Sequence, residues 1–169
     1  MGQSKDERII QFIKSGEKMA YKHGRDKGPD KNEIAINEVI SKIDGIEKLC
    51  DMSVKDFADE EGYADIVAKN SRRLKTNQLR KFFGAVRLME QKDTWSEIEP
   101  EFYLLKPRLA VSAGRGNVPK PFYNLILAAM RKVDVGTEED KMKSFKIFVS
   151  FFESIVAYHK YHEQMRDWA

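Results

Sequence analysis

The sequence predicts an all-α fold, a single-domain helical bundle of about five to seven helices with a long C-terminal helix. Apolar residues recur at helical spacing nearly everywhere, and no segment alternates convincingly with the period of a strand. Helix-start and helix-stop residues punctuate the chain at intervals that leave room for several turns between them. Only five Pro and ten Gly occur in 169 residues, so long regular elements are allowed. At 41% hydrophobic and 34% charged residues, the chain has enough apolar material for a core and a heavily charged surface.

A first helix is predicted over about residues 6–21, with Ile9, Ile13 and Ala20 on one side. Gly24 to Asp30 then breaks the chain. A second helix follows over about Asn32 to Leu49, with Ile36, Val39, Ile43 and Ile46 in register. Ser53 and Asp56 resemble a capping box that opens a third helix to about Ala68, with Gly62 inside it. Asn70 to Lys75 reads as a basic loop, and Thr76 as the N-cap of a strong fourth helix carrying Leu79, Phe82, Phe83, Val86 and Met89. Ser96 with Glu99 is expected to cap a fifth helix through Phe102, Leu105, Leu109 and Ala113, kinked at Pro107 and ended by Gly114 or Gly116. Pro119 and Pro121 open a sixth helix to about Val133, with Phe122, Leu125, Ile126 and Met130 inward and Gly136 as its stop.

Thr137 and Asp140 form another capping box, which starts the final helix to about Arg166. Met142, Phe145, Val149, Phe152 and Val156 make one apolar stripe on it. Ile147, Phe151 and Tyr158 make a second, at roughly 150° from the first on a helical wheel. A helix apolar on two sides is either central in its own bundle or buried against another chain.

No window holds the ~18 consecutive apolar residues that a membrane-spanning helix needs. Met1 to Lys14 is polar and charged, without the apolar stretch of a secretion signal, which predicts a cytoplasmic protein. The single Cys50 has no partner for an internal disulfide or a thiolate metal site. Catalytic patterns are weak. His159 and His162 are three apart, a spacing that can chelate a metal, but no further ligand converges by spacing. His23 lies in a loop context with nothing nearby to make it a base. Gly114-Arg115-Gly116 lacks the strand before it and the Gly-Lys-Ser/Thr after it that a phosphate loop requires, and reads either as an ordinary helix end or as a point of close ligand approach. No metal and no cofactor is implied.

Charge is the informative feature. Residues 1–68 carry 11 Lys/Arg against 15 Asp/Glu, and residues 69–120 carry 12 against 5. The run from Lys69 to Arg87 holds seven positive residues and no acid. Such a run gains nothing from internal ion pairs and repels itself unless a polyanion neutralises it, which points to a nucleic acid or another phosphate partner. On a wheel, Asn77, Arg80, Gly84, Arg87 and Gln91 form a polar stripe apart from the apolar face of the fourth helix. Arginine pairs bidentately with phosphate, amides donate to phosphates or base edges, and glycine admits a close backbone. Arg72, Arg73 and Lys75 extend this set from the preceding loop, Lys106 and Arg108 flank Pro107, and Arg115 and Lys120 border the next turn.

Three blocks carry a family resemblance. Residues 74–83, Leu-Lys-Thr-Asn-Gln-Leu-Arg-Lys-Phe-Phe, open the first. Residues 103–115, Tyr-Leu-Leu-Lys-Pro-Arg-Leu-Ala-Val-Ser-Ala-Gly-Arg, form the second. Residues 151–161, Phe-Phe-Glu-Ser-Ile-Val-Ala-Tyr-His-Lys-Tyr, form the third. In this order and spacing they resemble the small subunit of type III-A CRISPR effector complexes, the Csm small-subunit family, over about residues 57–162. Val111 stands where the second block usually has tyrosine, which puts a stacking contact there in doubt. Residues 1–50 correspond to a segment that is variable in the family, and residues 51–169 to the helical small-subunit core.

The resemblance implies a helical protein without enzymatic activity, a part of antiviral defence. Several copies would stack along the backbone subunits and hold the crRNA and target RNA, mostly by sugar-phosphate contacts. RNA cleavage would belong to the backbone subunits, and DNA cleavage and cyclic oligoadenylate synthesis to the large subunit. The basic positions of the matched blocks are Arg80, Lys81, Lys106, Arg108 and Arg115, to which spacing adds Arg72, Arg73, Lys75, Arg87 and Lys120. Arg80, Arg108 and Arg115 are the foremost candidates, and the double stripe of the last helix suggests self-association. Rival readings are the small subunit of the sister type III-B complex, a helical adaptor whose basic face meets an acidic protein, and a metal enzyme using His159 and His162. The closing Val-Ala-Tyr-His block argues against the first.

Overall fold

The computed structural model describes residues 28–169. The helix expected over residues 6–21, and His23, lie outside the described residues. Within them, seven α-helices and a 3-10 turn follow in order: α1 (Lys31–Asp44), the 3-10 turn (Leu49–Asp51), α2 (Val54–Ala58), α3 (Tyr63–Asn70), α4 (Thr76–Met89), α5 (Trp95–Gly114), α6 (Lys120–Val133) and α7 (Glu138–Trp168). No strand occurs among the described residues.

The 31-residue α7 is the axis of the bundle and packs against α2, α3, α4, α5, α6 and the 3-10 turn. Its start is fixed by a reciprocal box in which Thr137 Oγ1 accepts from the Asp140 N–H at 3.2 Å and the Asp140 carboxylate accepts from the Thr137 N–H at 3.0 Å. Both apolar stripes meet the rest of the chain. On one side Phe145, Phe148 and Phe152 join Phe102 of α5, Phe122 of α6 and Phe82 of α4 in a run of edge-to-face and tilted rings. On the other, Phe151 meets Phe57 of α2 edge-on at 5.6 Å, and Tyr158 donates to the Ala58 carbonyl at 2.8 Å. Of the two places open to a doubly apolar helix, α7 occupies the centre of its own bundle. Each fully buried phenylalanine stabilises the fold by about 1.5–3 kcal/mol, so this aromatic column dominates the core.

Four boundaries differ from the sequence expectation. The second predicted helix stops at Asp44, where the N–H of Gly45 turns back to the carbonyls of Ile43 and Ser41, and Leu49 falls in the separate 3-10 turn. The third predicted helix is two. Ser53 caps α2, which ends after Ala58; Asp59 to Gly62 reverses the chain with Glu61 at φ 59°, and Gly62 begins α3 as its N-cap rather than lying inside a helix. Thr76 is the first residue of α4 rather than its cap, and its hydroxyl turns to α7 instead. Thr94 with Glu97, not Ser96 with Glu99, caps α5.

Helix α5 runs through both Pro100 and Pro107. Both rings lie on its exposed side, where water can satisfy the carbonyls that a proline leaves without an N–H donor. At the far end of α5, Gly116 takes φ 73° and its N–H bonds the Ala113 carbonyl, a left-handed turn that a β-carbon would strain.

Candidate nucleic-acid interface

The basic loop is built from the inside. Ser71 and Leu74 are buried, the Leu74 N–H bonds the Ser71 carbonyl at 2.9 Å, and Arg72, Arg73 and Lys75 are thereby turned to the surface. Beneath the loop, Thr76 donates its hydroxyl to the Glu163 carboxylate at 2.7 Å and lies 3.3 Å from Nδ1 of His159. A hydroxyl has one proton to give. With that proton on Glu163, the ring nitrogen is the donor to Thr76. Burial pushes the His159 imidazole below its ordinary value, against the opposing charge of Glu163, so the ring is held neutral. One turn along α7, His162 Nε2 pairs with the Asp65 carboxylate at 2.5 Å and ties α3 to the same helix. Burial alone would raise the Asp65 carboxyl, but the His162 bond and the Glu61 N–H outweigh it and hold the group below the usual carboxylate range.

The two histidines thus turn to different partners. Among the described residues, no three His, Cys, Asp or Glu side chains converge as a metal site. No described helix is long and apolar enough to cross a membrane.

Asn77, Arg80, Gly84 and Arg87 of the polar stripe are exposed on α4, and Gln91 is exposed in the turn just past its end. A β-carbon on Gly84 would meet nothing within 4 Å, so no packing among the described residues requires a glycine there. Arg87 is engaged locally: it pairs with Glu90 at 2.8 Å and lies 5.8 Å from the centre of the Phe83 ring.

Two adjoining grooves gather half of the candidate cations. One, of about 320 Å³, lies between α4 and α5 and is bordered by Lys81 and Arg108. The other, of about 530 Å³, is bordered by Arg72, Arg73 and Lys120, together with Asp30, the N-cap of α1, and Glu33 of its first turn. Val118 lines both, so they are neighbours. Arg115 caps α5 beside Gly116, which lines the second groove, and Lys75 and Arg80 are exposed nearby in sequence. Apart from Arg87, none of the ten candidates forms an ion pair among the described residues.

Lys106 stands apart. Its ammonium lies 4.8 Å from the centre of the Tyr103 ring, whose hydroxyl donates to Asp134. That bond, with some burial, pushes the Tyr103 phenol up to about 12. Lys106 and Arg108 are two residues apart on one helix, hence roughly 200° apart around it, and only Arg108 reaches the groove. Val111, the departure from the family pattern, is an exposed position on α5.

Sequence reasoning missed the groove floor and its two neutral polar residues, Gln78 and Ser112. It also missed the Thr76–Glu163–His159 link, whose partners are more than 80 residues apart in the chain.

A family model described as Csm2 Type III-A matches residues 55–165, a span that includes every candidate cation from Arg72 to Lys120. No curated protein and no solved structure matches the chain.

Proposed function

From the chain's membership of the Csm2 Type III-A family, which makes it a small subunit of a type III-A CRISPR effector complex, we propose that it is a non-catalytic, cytoplasmic subunit that holds crRNA and target RNA through their sugar-phosphate backbones. The observation that carries this reading is the acid-free run from Lys69 to Arg87, with Arg72, Arg73, Lys75, Arg80 and Lys81 exposed on it and without ion-pair partners among the described residues. Unpaired surface cations repel one another, and a polyanion relieves that repulsion while releasing its own counterions.

Copies stack beside the backbone and large subunits, and their RNA contacts act together. One copy presents a few exposed, flexible cations and binds weakly; several on one RNA gain strength by effective concentration. Indifference to sequence suits a guide complex, in which base pairing reads the target and the protein must not. On this reading residues 51–169 are the small-subunit core, and residues 1–50 are the N-terminal helical segment that varies in the family.

The test is binding of the purified protein to an unstructured single-stranded RNA by fluorescence anisotropy, at low and at physiological salt. The expected result is sequence-indifferent binding that weakens steeply with salt. No binding at low salt, alone or with the backbone subunit present, would overturn the reading and leave the basic face to an acidic protein partner.

A further inference from the structure

The groove between α4 and α5 has a composition that phosphate contacts alone do not call for. Its floor is Phe82, Ala85, Leu105, Leu109 and Val118, its charged residues are Lys81 and Arg108, and no acid among the described residues lines it. A surface that only tracks phosphates needs cations on a polar face. An apolar trough open to water is unfavourable until an apolar group fills it. Its volume of about 320 Å³ is at the lower end of small-ligand pockets. The floor is also packed from beneath. Leu105, Leu109 and Val118 are buried, and the half-buried Phe82 ring is braced on Phe152 with centroids 4.9 Å apart.

We propose that this groove takes up one unpaired nucleobase of the bound RNA, stacked on Phe82, with its flanking phosphates on Lys81 and Arg108. The inference rests on the RNA-holding reading and extends it from the backbone to a base. RNA is a polymer in which every anion is tethered to a flat, largely apolar ring, so one strand satisfies both the cations and the floor. Stacking on an aromatic accepts any base, which keeps binding indifferent to sequence. Gln78 and Ser112 line the groove as well, offering an amide and a hydroxyl to the polar edge of whichever base enters. The neighbouring groove is less suited, because Asp30 and Glu33 line it and oppose a phosphate.

The experiment compares the full-length protein on two single-stranded RNAs of equal length, one normal and one whose residues are abasic, across a salt series. The expected result is about tenfold weaker binding of the abasic strand at matched salt, the effect of one stacked base, with the same salt slope for both. Two variants locate the effect. Ala85→Phe fills the groove, and Phe82→Leu keeps apolar bulk while removing the aromatic surface. Each should bind both RNAs alike without changing the salt slope, folding being checked by circular dichroism. Equal binding of the two RNAs by the unaltered protein overturns the proposal and leaves phosphate holding intact. Persistent discrimination in folded Ala85→Phe and Phe82→Leu proteins places the base elsewhere and overturns it too. Failure of both RNAs to bind at low salt, alone and with the backbone subunit present, would fell the RNA-holding reading itself.

Discussion

Replacing Gly62 by alanine should destabilise the protein, although both residues can adopt the backbone found there. At φ −72° and ψ 178° the position is ordinary extended backbone, so the objection is to space and not to conformation. A β-carbon would lie 2.8 Å from the Asp56 carbonyl oxygen, 2.8 Å from that of Asp59 and 3.1 Å from that of Phe57. All three are main-chain atoms, and the turn is pinned by the Gly62 N–H to the Asp59 carbonyl at 2.9 Å and the Ile66 N–H to the Gly62 carbonyl at 3.0 Å. None of them can swing aside as a long side chain would. Overpacking of this kind costs about 1–3 kcal/mol, against roughly 0.4–1 kcal/mol gained from the stiffer unfolded chain. Alanine is also a poorer N-cap than glycine, by several tenths of a kcal/mol or more. The net loss is about 2 kcal/mol, which for a chain of this size lowers Tm by roughly 4–8 °C. Thermal denaturation followed by circular dichroism measures it. Gly84→Ala is the control, because its added β-carbon meets nothing and helix propensity should raise stability by roughly 0.5–1 kcal/mol. A Gly62→Ala protein as stable as its parent would refute the steric reasoning.

Three further outcomes follow from the same structure. In RNA binding, Arg80→Ala and Arg115→Ala should each reduce the slope of log affinity against log salt by about 0.7 without lowering Tm, whereas Arg87→Ala should change it less because Glu90 already shares that charge; equal slopes for all three would refute the assignment. Burial lowers the pKa of His159, so protonation favours the unfolded chain: stability is full above the ordinary imidazole value of about 6.5 and falls as pH drops through it. Urea midpoints between pH 5 and 8 should show that decline in the parent and a shallower one in His159→Gln, and identical profiles would remove His159 as its source. Thr94→Ala should cost about 1 kcal/mol by removing the α5 cap, while Ser96→Ala should stay within about 0.5 kcal/mol; chemical denaturation that reversed this order would return the cap to Ser96.

Those two residues show where local pattern stops being decisive. Thr94 with Glu97 and Ser96 with Glu99 both satisfy the capping-box spacing, so the sequence offers two starts for one helix. Burial of Trp95 against Phe102 and Phe145 selects the earlier one, because the indole must already be in the first turn. The break between α2 and α3 was illegible for a related reason. Residues 54–68 are mostly compatible with a helix, and the turn at Asp59–Gly62 accompanies contacts on α7 made by Phe57 and the Ala58 carbonyl, far away in sequence. What could be read were features whose cause is local: the Thr137 box, the inward faces of α4 and α6, and the acid-free basic run. At the candidate interface the residue types were legible but not their sides. Lys106 and Arg108 look equivalent in a list of cations, and only the azimuth of α5 sends one to Tyr103 and the other to the groove.

The way the basic loop is anchored bears on how the protein would hold RNA without reading it. The backbone of residues 71–76 is fixed from below by buried Ser71 and Leu74 and by the hydroxyl of Thr76 on Glu163, while the cationic ends of Arg72, Arg73 and Lys75 are left exposed. Fixing the backbone removes part of the ordering cost that RNA binding would otherwise meet. Leaving the long side chains free lets each follow a phosphate through small changes of helical geometry, at the expense of affinity per contact. On the RNA-holding reading, both choices suit a subunit that works in several copies. Each site could then stay weak and tolerant, because an array would supply the affinity and a guide the specificity. A tighter, fully ordered phosphate clamp on every copy would fix the RNA more strongly but accommodate its shape less well, which is the wrong exchange for a protein that, on the same reading, would have to accept any target its guide can pair with.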